Sequence, residues 1–563
     1  MAHTDVAIIG GGPAGSTTGS FLRKYGNDLS VLILERDAFP RDHVGESQLP
    51  AISRILDEIG CWDKVEAANF PIKVGATYKW GRTEELWDFD FYPLDLFHNE
   101  PRPGRYEGQR KSLAFQVDRA IYDKILLDHA RELGCEVRET TRVVRILRQG
   151  DRVEGLELDT GEVIQARFYV DGSGHAGILR RAMNVSVEHP TNLQNIAIWE
   201  YWRNAEWAEE IGVGATRVQV ISVRNGWIWF IPLGPDRTSV GLIVPAAYYK
   251  AVGKRPAELY EQALQEDARL AGLMRNAMPE GNLQTTKDWS FLAGRHSGEN
   301  WFLEGESSGF ADPILAAGLT ITHASAREAA FTILEMDRGA DPAWLRAAYD
   351  RRQSTRITNH IRFADYWYSA NAQFTELQDH TAQIARDNGL NLDPARAWAW
   401  LAQGGFIDEE LGAGAAGFAL PLLKDLGSYL GEVREDNPVY TKNIFRLDLE
   451  NADVEVRPLY ENGKVSRCES YVREERRLPV RFPYDFWLHE LRSAPDIDVL
   501  KQKLKAYLLR FADPKERSAR YLALMPALEA MIVDGWVQAS YEEDKPCFAE
   551  QFRYAMIHPH SVV

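Results

Sequence analysis

Cysteine is scarce in this chain, which has four among its 563 residues. Cys61, Cys135, Cys468 and Cys547 lie far apart, and no two have the C-x-x-C spacing of a zinc site or a redox dithiol. A disulfide framework like that of small secreted domains is therefore not expected. The sequence predicts a reduced protein of the cytoplasm that binds no metal.

Long hydrophobic runs and an excess of positive charge are also missing. No stretch reaches the roughly 18 apolar residues that a membrane-spanning helix needs. The first residues lack the basic and apolar segments of a signal peptide. The net charge is −17, whereas a nucleic-acid-binding protein needs a basic surface. Neither a membrane nor a nucleic acid is therefore expected as a partner.

The length and the hydrophobic patterns predict more than one domain. Residues 1–375 alternate β-runs with amphipathic helices, and β segments are expected at about 65–115 and 190–245. Residues 376–563 are expected to form a mainly helical domain. Within it, a charged β-like stretch at 446–480 precedes a helical, winged-helix-like unit at 498–537.

A glycine-rich turn lies near the start of the chain. Residues 5–9 form an apolar β-run, and the next six residues fit G-x-G-x-x-G and open a helical pattern. In such a turn Gly10 allows the tight bend, Gly12 lets the backbone approach a pyrophosphate, and Gly15 lets helix and strand pack closely. The helical pattern that begins at about Ala14 offers free N–H groups to phosphate.

An acidic residue completes the pattern of a dinucleotide site. Glu35 ends the second β-run, twenty residues after Gly15, where a carboxylate accepts hydrogen bonds from ribose hydroxyls. The spacing predicts a β-α-β unit that binds a dinucleotide. A glycine turn without a ligand is the alternative.

Two later segments resemble those of flavin monooxygenases and flavin-dependent halogenases. Residues 41–47, RDHVGES, are similar to the R-x-x-V-G-E-S run beside the FAD, and Gly305-Glu306 resembles a Gly-Asp pair near the flavin. The resemblance implies an α/β, glutathione-reductase-like FAD-binding fold of the flavin monooxygenase type, with an antiparallel β substrate region. It also implies that FAD is contacted by Gly10, Gly12, Pro13, Ala14, Gly15, Glu35, Arg36, Arg41, Gly45, Ser47, Arg119, Glu306 and Pro313.

A tryptophan motif is similar to that of the halogenases in particular. Residues 227–232, WIWFIP, match W-x-W-x-I-P in full. Alternation along a strand places Trp227 and Trp229 on one face, and the resemblance implies that the two indoles shield the flavin from the substrate. Without the other motifs, an aromatic core strand would be the more common explanation.

A lysine follows the segment Asn69-Phe70-Pro71-Ile72. Lys73 occupies the position at which halogenases carry their catalytic lysine. Either its ammonium hydrogen-bonds hypohalous acid or its neutral amine is halogenated, and desolvation favours both by lowering the pKa. Taken alone, a surface lysine is the more common explanation.

The segment Phe310–Gly318, here called the halide loop, resembles F-x-x-P-x-x-S-x-G, with Ala316 at the serine position. The resemblance implies that a halide contacts the backbone N–H groups of Ala317 and Gly318, which do not depend on that side chain. Leu315 stands where tryptophan halogenases carry a glutamate. This favours a phenol, a pyrrole or an acyl group as the substrate, including one tethered to a carrier protein.

The chain is most similar to the chloramphenicol-type halogenases, which suggests one further residue. Asp288, in Lys287-Asp288-Trp289-Ser290, resembles the aspartate that is ester-linked to the flavin in that type. A carboxylate is a competent nucleophile for such a link. An aspartate at a strand end or turn is an equally good explanation.

The resemblance implies FADH2- and O2-dependent halogenation of an electron-rich or carrier-tethered small molecule, in secondary metabolism such as antibiotic biosynthesis. Flavin hydroperoxide and halide would give hypohalous acid, which Lys73 delivers. No second G-x-G-x-x-G that follows an apolar β-run is found for a nicotinamide, which favours a separate flavin reductase. Ala316 and Glu306 keep a flavin monooxygenase or oxidoreductase without halide open, and a non-catalytic FAD-fold binding protein is the third possibility.

Overall fold

The computed structural model describes residues 2–369 and 437–548, except Asn27, 81–85, Pro93, Asn192, Glu209, Val213, 474–475 and 494–495. The chain divides into two compact units. Of the described residues, those up to Ser369 and Tyr460–Val465 belong to the first unit, and the rest of 437–548 to the second. The architecture is mixed α/β, as the sequence predicts.

As far as it is described, the first unit contains two large sheets, one small sheet and the helices that cover them. Its strands are β1 (Ala2–Ile9), β2 (Val31–Leu34), β3 (Ile72–Lys79), β4 (Trp87–Asp90), β5 (Ala114–Phe115), β6 (Glu136–Arg138), β7 (Val143–Gln149), β8 (Arg152–Leu158), β9 (Val163–Asp171), β10 (Val187–Glu188), β11 (Gln194–Arg203), β12 (Ala215–Val223), β13 (Gly226–Pro232), β14 (Arg237–Pro245), β15 (Met278–Pro279), β16 (Gln284–Trp289), β17 (Phe291–Ala293), β18 (Trp301–Leu303) and β19 (Gly309–Phe310). Its helices are α1 (Pro13–Tyr25), α2 (Pro50–Ile59), α3 (Trp62–Ala67), α4 (Arg119–Glu132), α5 (Ile178–Ala182), α6 (Ala246–Val252), α7 (Pro256–Leu264), α8 (Ala268–Leu273), α9 (Gly318–Asp337) and α10 (Pro342–Ser369).

The first large sheet carries the glycine-rich turn between β1 and α1. Its strand order is β6-β2-β1-β9-β8-β7, and β18 pairs with β9. β6, β2, β1, β9 and β18 are parallel, while β7, β8 and β9 form an antiparallel meander. Parallel strands are usually covered on both faces, and all four residues of β2 are buried. Helices α1, α4 and α9 contribute Phe21, Leu127 and Phe331 to the core on this sheet.

The second large sheet unites the two β segments expected at about 65–115 and 190–245. Its order is β15-β11-β14-β13-β12-β3-β4, with β16 beside β11 and β5 beside β3. Its pairs are antiparallel except for β12 and β3, which run parallel. The small third sheet has the order β10-β17-β19.

The second sheet has two different faces. On β13, Ile228 and Phe230 share an apolar core with Leu259 of α7, whereas Trp227 and Trp229 line a cavity. This is the period-two alternation that the sequence predicts for this strand. The cavity therefore lies on the face of the sheet that α7 does not cover.

The second unit, as far as it is described, contains strands as well as helices. Its elements are α11 (Pro438–Thr441), β20 (Ile444–Leu447), β21 (Asp453–Glu461), β22 (Lys464–Arg473), β23 (Arg476–Pro479), α12 (Tyr484–Leu491), α13 (Ile497–Leu508), α14 (Pro514–Val533) and β24 (Val537–Ser540). The turn between β21 and β22 belongs to the first unit. Its core includes Trp487, Leu504, Leu528 and Trp536. The expectation of a mainly helical domain stays a prediction, since 370–436 and 549–563 lie outside the described residues. No described helix has the length and apolar character needed to cross a membrane.

A buried ion cluster joins α9 to α10. The Glu328 carboxylate accepts hydrogen bonds from Arg352 Nε at 2.6 Å, Arg356 Nη2 at 2.5 Å and Gln353 Nε2 at 2.6 Å. Burial alone would raise the pKa of Glu328, but the two guanidinium groups outweigh it and hold that pKa well below its usual range. The helix that begins at the halide loop is thereby fixed to the next helix of the chain.

Glu328→Gln should destabilise the first unit by about 3 kcal/mol, because it removes the buried negative charge that two guanidinium groups bind. Urea unfolding followed by tryptophan fluorescence measures the change. Glu299→Gln is the matched control, since Glu299 pairs with Arg152 at 2.7 Å and both side chains are half exposed. That loss should stay below about 1 kcal/mol, and equal losses in the two variants would contradict a structural role for the cluster.

Candidate functional site

The glycine-rich turn brings β1, β9 and α1 into close contact. Gly10 has φ +103°, and a Cβ there would lie 2.4 Å from the Gly172 carbonyl oxygen. A Cβ at Gly15 would lie 2.0 Å from the Gly10 oxygen, so Gly15 serves helix packing and does not line the cavity. At Gly12 the nearest group to a Cβ would be Arg41 Nη2, at 3.4 Å. The space beside Gly12 is therefore open, and it faces the guanidinium group of Arg41.

Two arginines share one carboxylate beside this turn. Arg119 binds Asp123 through Nε at 2.7 Å and Nη2 at 3.0 Å. Its Nη1 also donates to the carbonyl oxygens of Val44 and Gly45, so it holds the RDHVGES segment in place. Arg41 Nη1 lies 3.5 Å from the same Asp123 carboxylate. Arg41 Nε also lies 3.9 Å from Asp37 Oδ2, and its guanidinium group faces Gly12 next to the N-terminus of α1, where N–H groups can bind a phosphate.

Polar groups that suit a ribose and a flavin lie nearby. Glu35 is buried, and its carboxylate accepts from Gly11 N at 2.6 Å and Asp37 N at 2.9 Å. Each oxygen keeps a lone pair for a ribose hydroxyl. Ser47 Oγ is buried and has no hydrogen-bond partner in the described part of the chain. An anion cradle, a ribose acceptor and an orphaned hydroxyl together fit a dinucleotide such as FAD.

One cavity of about 1470 Å³ connects this cradle to the second sheet. It brings together most of the residues expected at the site. Those that line it are Gly10, Gly12, Pro13, Ala14, Glu35, Arg36, Arg41, Gly45, Ser47, Lys73, Arg119, Trp227, Trp229, Glu306, Pro313 and Gly318. Asp288 lies on β16, where its backbone pairs with Asn195, and its side chain lies outside the described part of the structure. Its neighbour Lys287 lines the cavity.

A β-bulge turns Lys73 into the cavity. Lys73 pairs with Thr216 of β12 and Gly75 with Arg217, so Val74 is the extra residue on β3. Bulges re-aim side chains at functional sites. Here Val74 joins the apolar core, while Lys73 faces the same cavity as Ala76 and Tyr78. Strict alternation would have separated Lys73 from Ala76 and Tyr78.

The Lys73 side chain is buried in mostly apolar surroundings. The residue is 2% exposed, and its Nζ donates to the Gln48 carbonyl oxygen at 2.9 Å and lies 5.2 Å from the centre of the Phe91 ring. Burial lowers the pKa of Lys73 to about 7, because the charged form loses its hydration. The neutral amine is therefore well populated at neutral pH.

The paired tryptophans are held by residues that sequence reasoning missed. The Trp229 indole lies across Gly241, where a Cβ would come within 2.1 Å of the ring, and its Nε1 donates to Ser239 Oγ. Trp227 Nε1 donates to Tyr368 Oη at 2.6 Å. Tyr368 is 141 residues from Trp227, and no local pattern marks it as a partner. Both indoles line the cavity and are largely buried.

The halide loop ends at the N-terminus of α9. Ala316 has φ +55°, a left-handed conformation that costs about 1 kcal/mol for a residue with a Cβ. Ala317 and Gly318 follow, where the first N–H groups of a helix lack internal partners. A second, small cavity of about 10 Å³ is lined by both residues and by Phe310, Asp312 and Glu306. It has room for about one water-sized body.

Arg41→Gln should weaken FAD binding about tenfold, because it removes the positive charge beside Gly12 that could bind a phosphate. The dissociation constant is measured by flavin fluorescence on mixing FAD with apoprotein. Arg152→Gln changes the net charge equally at a half-exposed site on the first sheet, and should leave the constant unchanged. If both variants bind FAD as the wild type does, Arg41 does not hold the phosphates.

Comparison with known proteins agrees with this geometry. The family model described as "Tryptophan halogenase" matches residues 5–99 and 97–377. A tryptophan 2-halogenase of Chondromyces crocatus is 31% identical over 383 residues, 66% of this chain and 69% of that protein. A 1H-pyrrole-2-carbonyl-[peptidyl-carrier protein] chlorinase of Pseudomonas fluorescens is 30% identical over 385 residues, 66% of this chain and 85% of that protein.

Solved structures of halogenases share the fold. The flavin-dependent halogenase CmlS superposes with a TM-score of 0.69 at 24% identity and covers 98% of both chains. The myxobacterial chondrochloren halogenase CndH superposes with a TM-score of 0.59 at 26% identity, covering 73% of this chain and 98% of its own. The chain belongs to the tryptophan-halogenase family of flavin-dependent halogenases, enzymes that use FAD and a halide.

Proposed function

We propose that this enzyme halogenates an electron-rich small molecule, with Lys73 as the residue that transfers the halogen. The reaction takes place in the part of the large cavity next to Lys73, here called the chamber. The observation that carries this proposal is the buried amine itself. A bulge turns Lys73 into a cavity that continues to the FAD cradle, and burial lowers its pKa to about 7.

The residues of the cradle would hold FAD by its polar parts. Arg41 and the N-terminus of α1 would hold the phosphates, and the Glu35 carboxylate would accept hydrogen bonds from the ribose. When bound in reduced form, FAD supplies, together with O2, the oxidising equivalent that converts halide to hypohalous acid. Ala317 and Gly318 would hold the halide through their N–H groups, and Trp227 and Trp229 would keep the substrate from the flavin.

Lys73 Nζ acts as a nucleophile in its neutral form. It takes the halogen from hypohalous acid, and the hydroxide that leaves combines with an amine proton to form water. An electron-rich carbon of the substrate then attacks the halogen on nitrogen. The amine regains a proton as the carbon loses its own, so Lys73 returns to its starting state.

The lining of the chamber favours a neutral aromatic substrate. Lys73 shares the wall of the large cavity with Ala76, Tyr78, Phe89, Phe91 and Val218, which lie on or next to β3, β4 and β12. Apolar and aromatic side chains of this kind bind uncharged rings and do not compensate the charges of a free amino acid. A phenol or a pyrrole, free or tethered to a carrier protein, fits best. One relative of the chain is named for chlorinating a carrier-bound pyrrole.

The finer fold assignment and the electron donor belong to the same proposal. Support for a glutathione-reductase-like FAD fold comes from the parallel sheet, the glycine-rich turn after β1 and the β7–β9 meander. Membership of the flavin-dependent halogenases supports a separate flavin reductase as the source of reduced FAD.

Lys73→Gln should lower the yield of halogenated product at least about 10³-fold, since no other group replaces the amine. Purified enzyme receives FADH2, O2, bromide and a phenol or pyrrole, and mass spectrometry measures the product. Lys287→Gln, at an exposed lysine that lines the same cavity, should keep wild-type activity. At saturating bromide the wild-type rate should rise between pH 6 and 8, because deprotonation through a pKa of about 7 creates the reactive amine.

Three results would count against this function. Oxygenated product formed without halide would indicate a monooxygenase. Full halogenation by Lys73→Gln would remove the lysine from the reaction. Protein that purifies with FAD below stoichiometry and never forms product would favour a binding protein.

We further propose that Asp288 carries FAD covalently. If so, flavin stays with the protein pellet after acid precipitation of the wild type, and Asp288→Ala releases it into the supernatant. Flavin absorbance of the two fractions measures the distribution. Asp288→Asn is the conservative control, because an amide is a poor nucleophile and should also release the flavin. Free flavin from the wild type would show that FAD is not covalently bound.

A further inference from the structure

An aspartate whose carboxylate is buried lies in the wall of the small cavity at the halide loop. Asp312 is 4% exposed and lines this space of about 10 Å³ together with Ala317 and Gly318. A halide held by the two backbone N–H groups would therefore share this small space with Asp312. Negative charges on the halide and on the buried Asp312 side chain would repel each other, because little water screens them there.

The hydrogen bonds of Asp312 bring no positive charge to it. Its carboxylate accepts from Ile314 N at 2.9 Å, from Asn195 Nδ2 at 3.3 Å and from Tyr368 Oη at 3.3 Å. Among the described residues, no lysine or arginine forms an ion pair with it. Burial raises the pKa of Asp312 to about 7, although these three hydrogen bonds favour the ionised form. A substantial fraction of Asp312 is therefore protonated near neutral pH.

Other titratable groups lie on the elements packed around Asp312. These are Tyr368 and Asp365 on α10, Tyr78 on β3, Glu306 on the turn before β19, and Asp288 on the strand that pairs with Asn195. Tyr78 donates to the Ile314 carbonyl oxygen, and Asp365 accepts from Thr191 Oγ1. Glu306 is the other carboxylate in the wall of the small cavity. It is therefore the group that a test must distinguish from Asp312.

We infer that halide binding is coupled to protonation of Asp312, so that the anion enters its site together with one proton. The inference rests on the halide site proposed above at Ala317 and Gly318. The proton comes from solvent, and no covalent bond is formed or broken. In this arrangement Asp312 excludes the halide when ionised and admits it when neutral.

The same carboxyl group also contacts the residue that holds a shielding tryptophan. Tyr368 Oη accepts from Trp227 Nε1 and donates to Asp312 Oδ1. The Trp80 ring packs beside both Tyr368 and Trp227, with ring centres 6.2 and 6.4 Å away. A change of charge at Asp312 therefore alters the acceptor of the Tyr368 hydroxyl. This gives a spectroscopic readout at an indole that is independent of turnover.

Calorimetric titration of the FAD-loaded enzyme with bromide, in chloride-free buffers of different ionisation enthalpy, counts the protons taken up per bromide bound. At pH 8 the wild type should take up close to one proton. Its affinity for bromide should fall by up to about tenfold per pH unit above pH 7, because the competing ionised form of Asp312 then dominates. At pH 6 the proton uptake should be small, since Asp312 is already neutral.

Asp312→Asn should bind bromide with a pH-independent affinity and without proton uptake. Glu306→Gln, the matched change in the same wall, should retain the uptake. Circular dichroism and FAD content show whether the variants fold, and the wild-type proton count stands without them. The protonation-linked change in tryptophan fluorescence should be present in the wild type and absent in Asp312→Asn.

The outcomes separate this inference from the proposed function. Bromide binding without proton uptake at pH 8, or uptake lost in Glu306→Gln but kept in Asp312→Asn, would overturn the role of Asp312 and leave the halide site intact. No bromide binding at any pH in wild-type enzyme would overturn both the inference and the halide site at Ala317 and Gly318.

Discussion

The rest of this site depends on a lysine amine held in an apolar chamber. An ammonium group loses its hydration when it is buried, so the cost falls on the charged form and the neutral amine is favoured. The structure achieves this with one extra residue in β3. The bulge at Val74 keeps that residue in the apolar core and turns Lys73 toward the cavity. A regular strand would have placed Lys73 on the face opposite to Ala76.

The cradle, the halide loop and the chamber belong to one continuous piece of structure in the first unit. The large cavity runs from the glycine-rich turn to Lys73, and Gly318 lies in the wall of both cavities. Helix α9 begins at the halide loop and is fixed to α10 through Glu328. Helix α10 also carries Tyr368, which contacts Asp312 and Trp227. The position of α10 thus influences both the loop and the tryptophans.

Sequence patterns predicted the features that depend on neighbouring residues. They missed the contacts between side chains that are far apart in the chain. The roles of Gly10 and Gly15 follow from backbone geometry within a few residues, and the structure shows the close contacts that exclude a Cβ there. Lys73 was found only through a resemblance, because nothing in the sequence announces a bulge. Gly241 and Tyr368 were missed since each meets its tryptophan through strand or helix packing. The burial of Asp312 likewise follows from three separate elements.

The pKa of Lys73 tests most directly the claim that a desolvated amine carries the chemistry. The enzyme can be labelled with ¹³Cε-lysine and titrated by NMR, with the Lys73 signal identified by its loss in Lys73→Arg. A midpoint near 7 is expected from the burial of this residue. A midpoint near the ordinary value of about 10.4 would show that Lys73 stays hydrated and charged, and would contradict transfer of the halogen through a neutral amine.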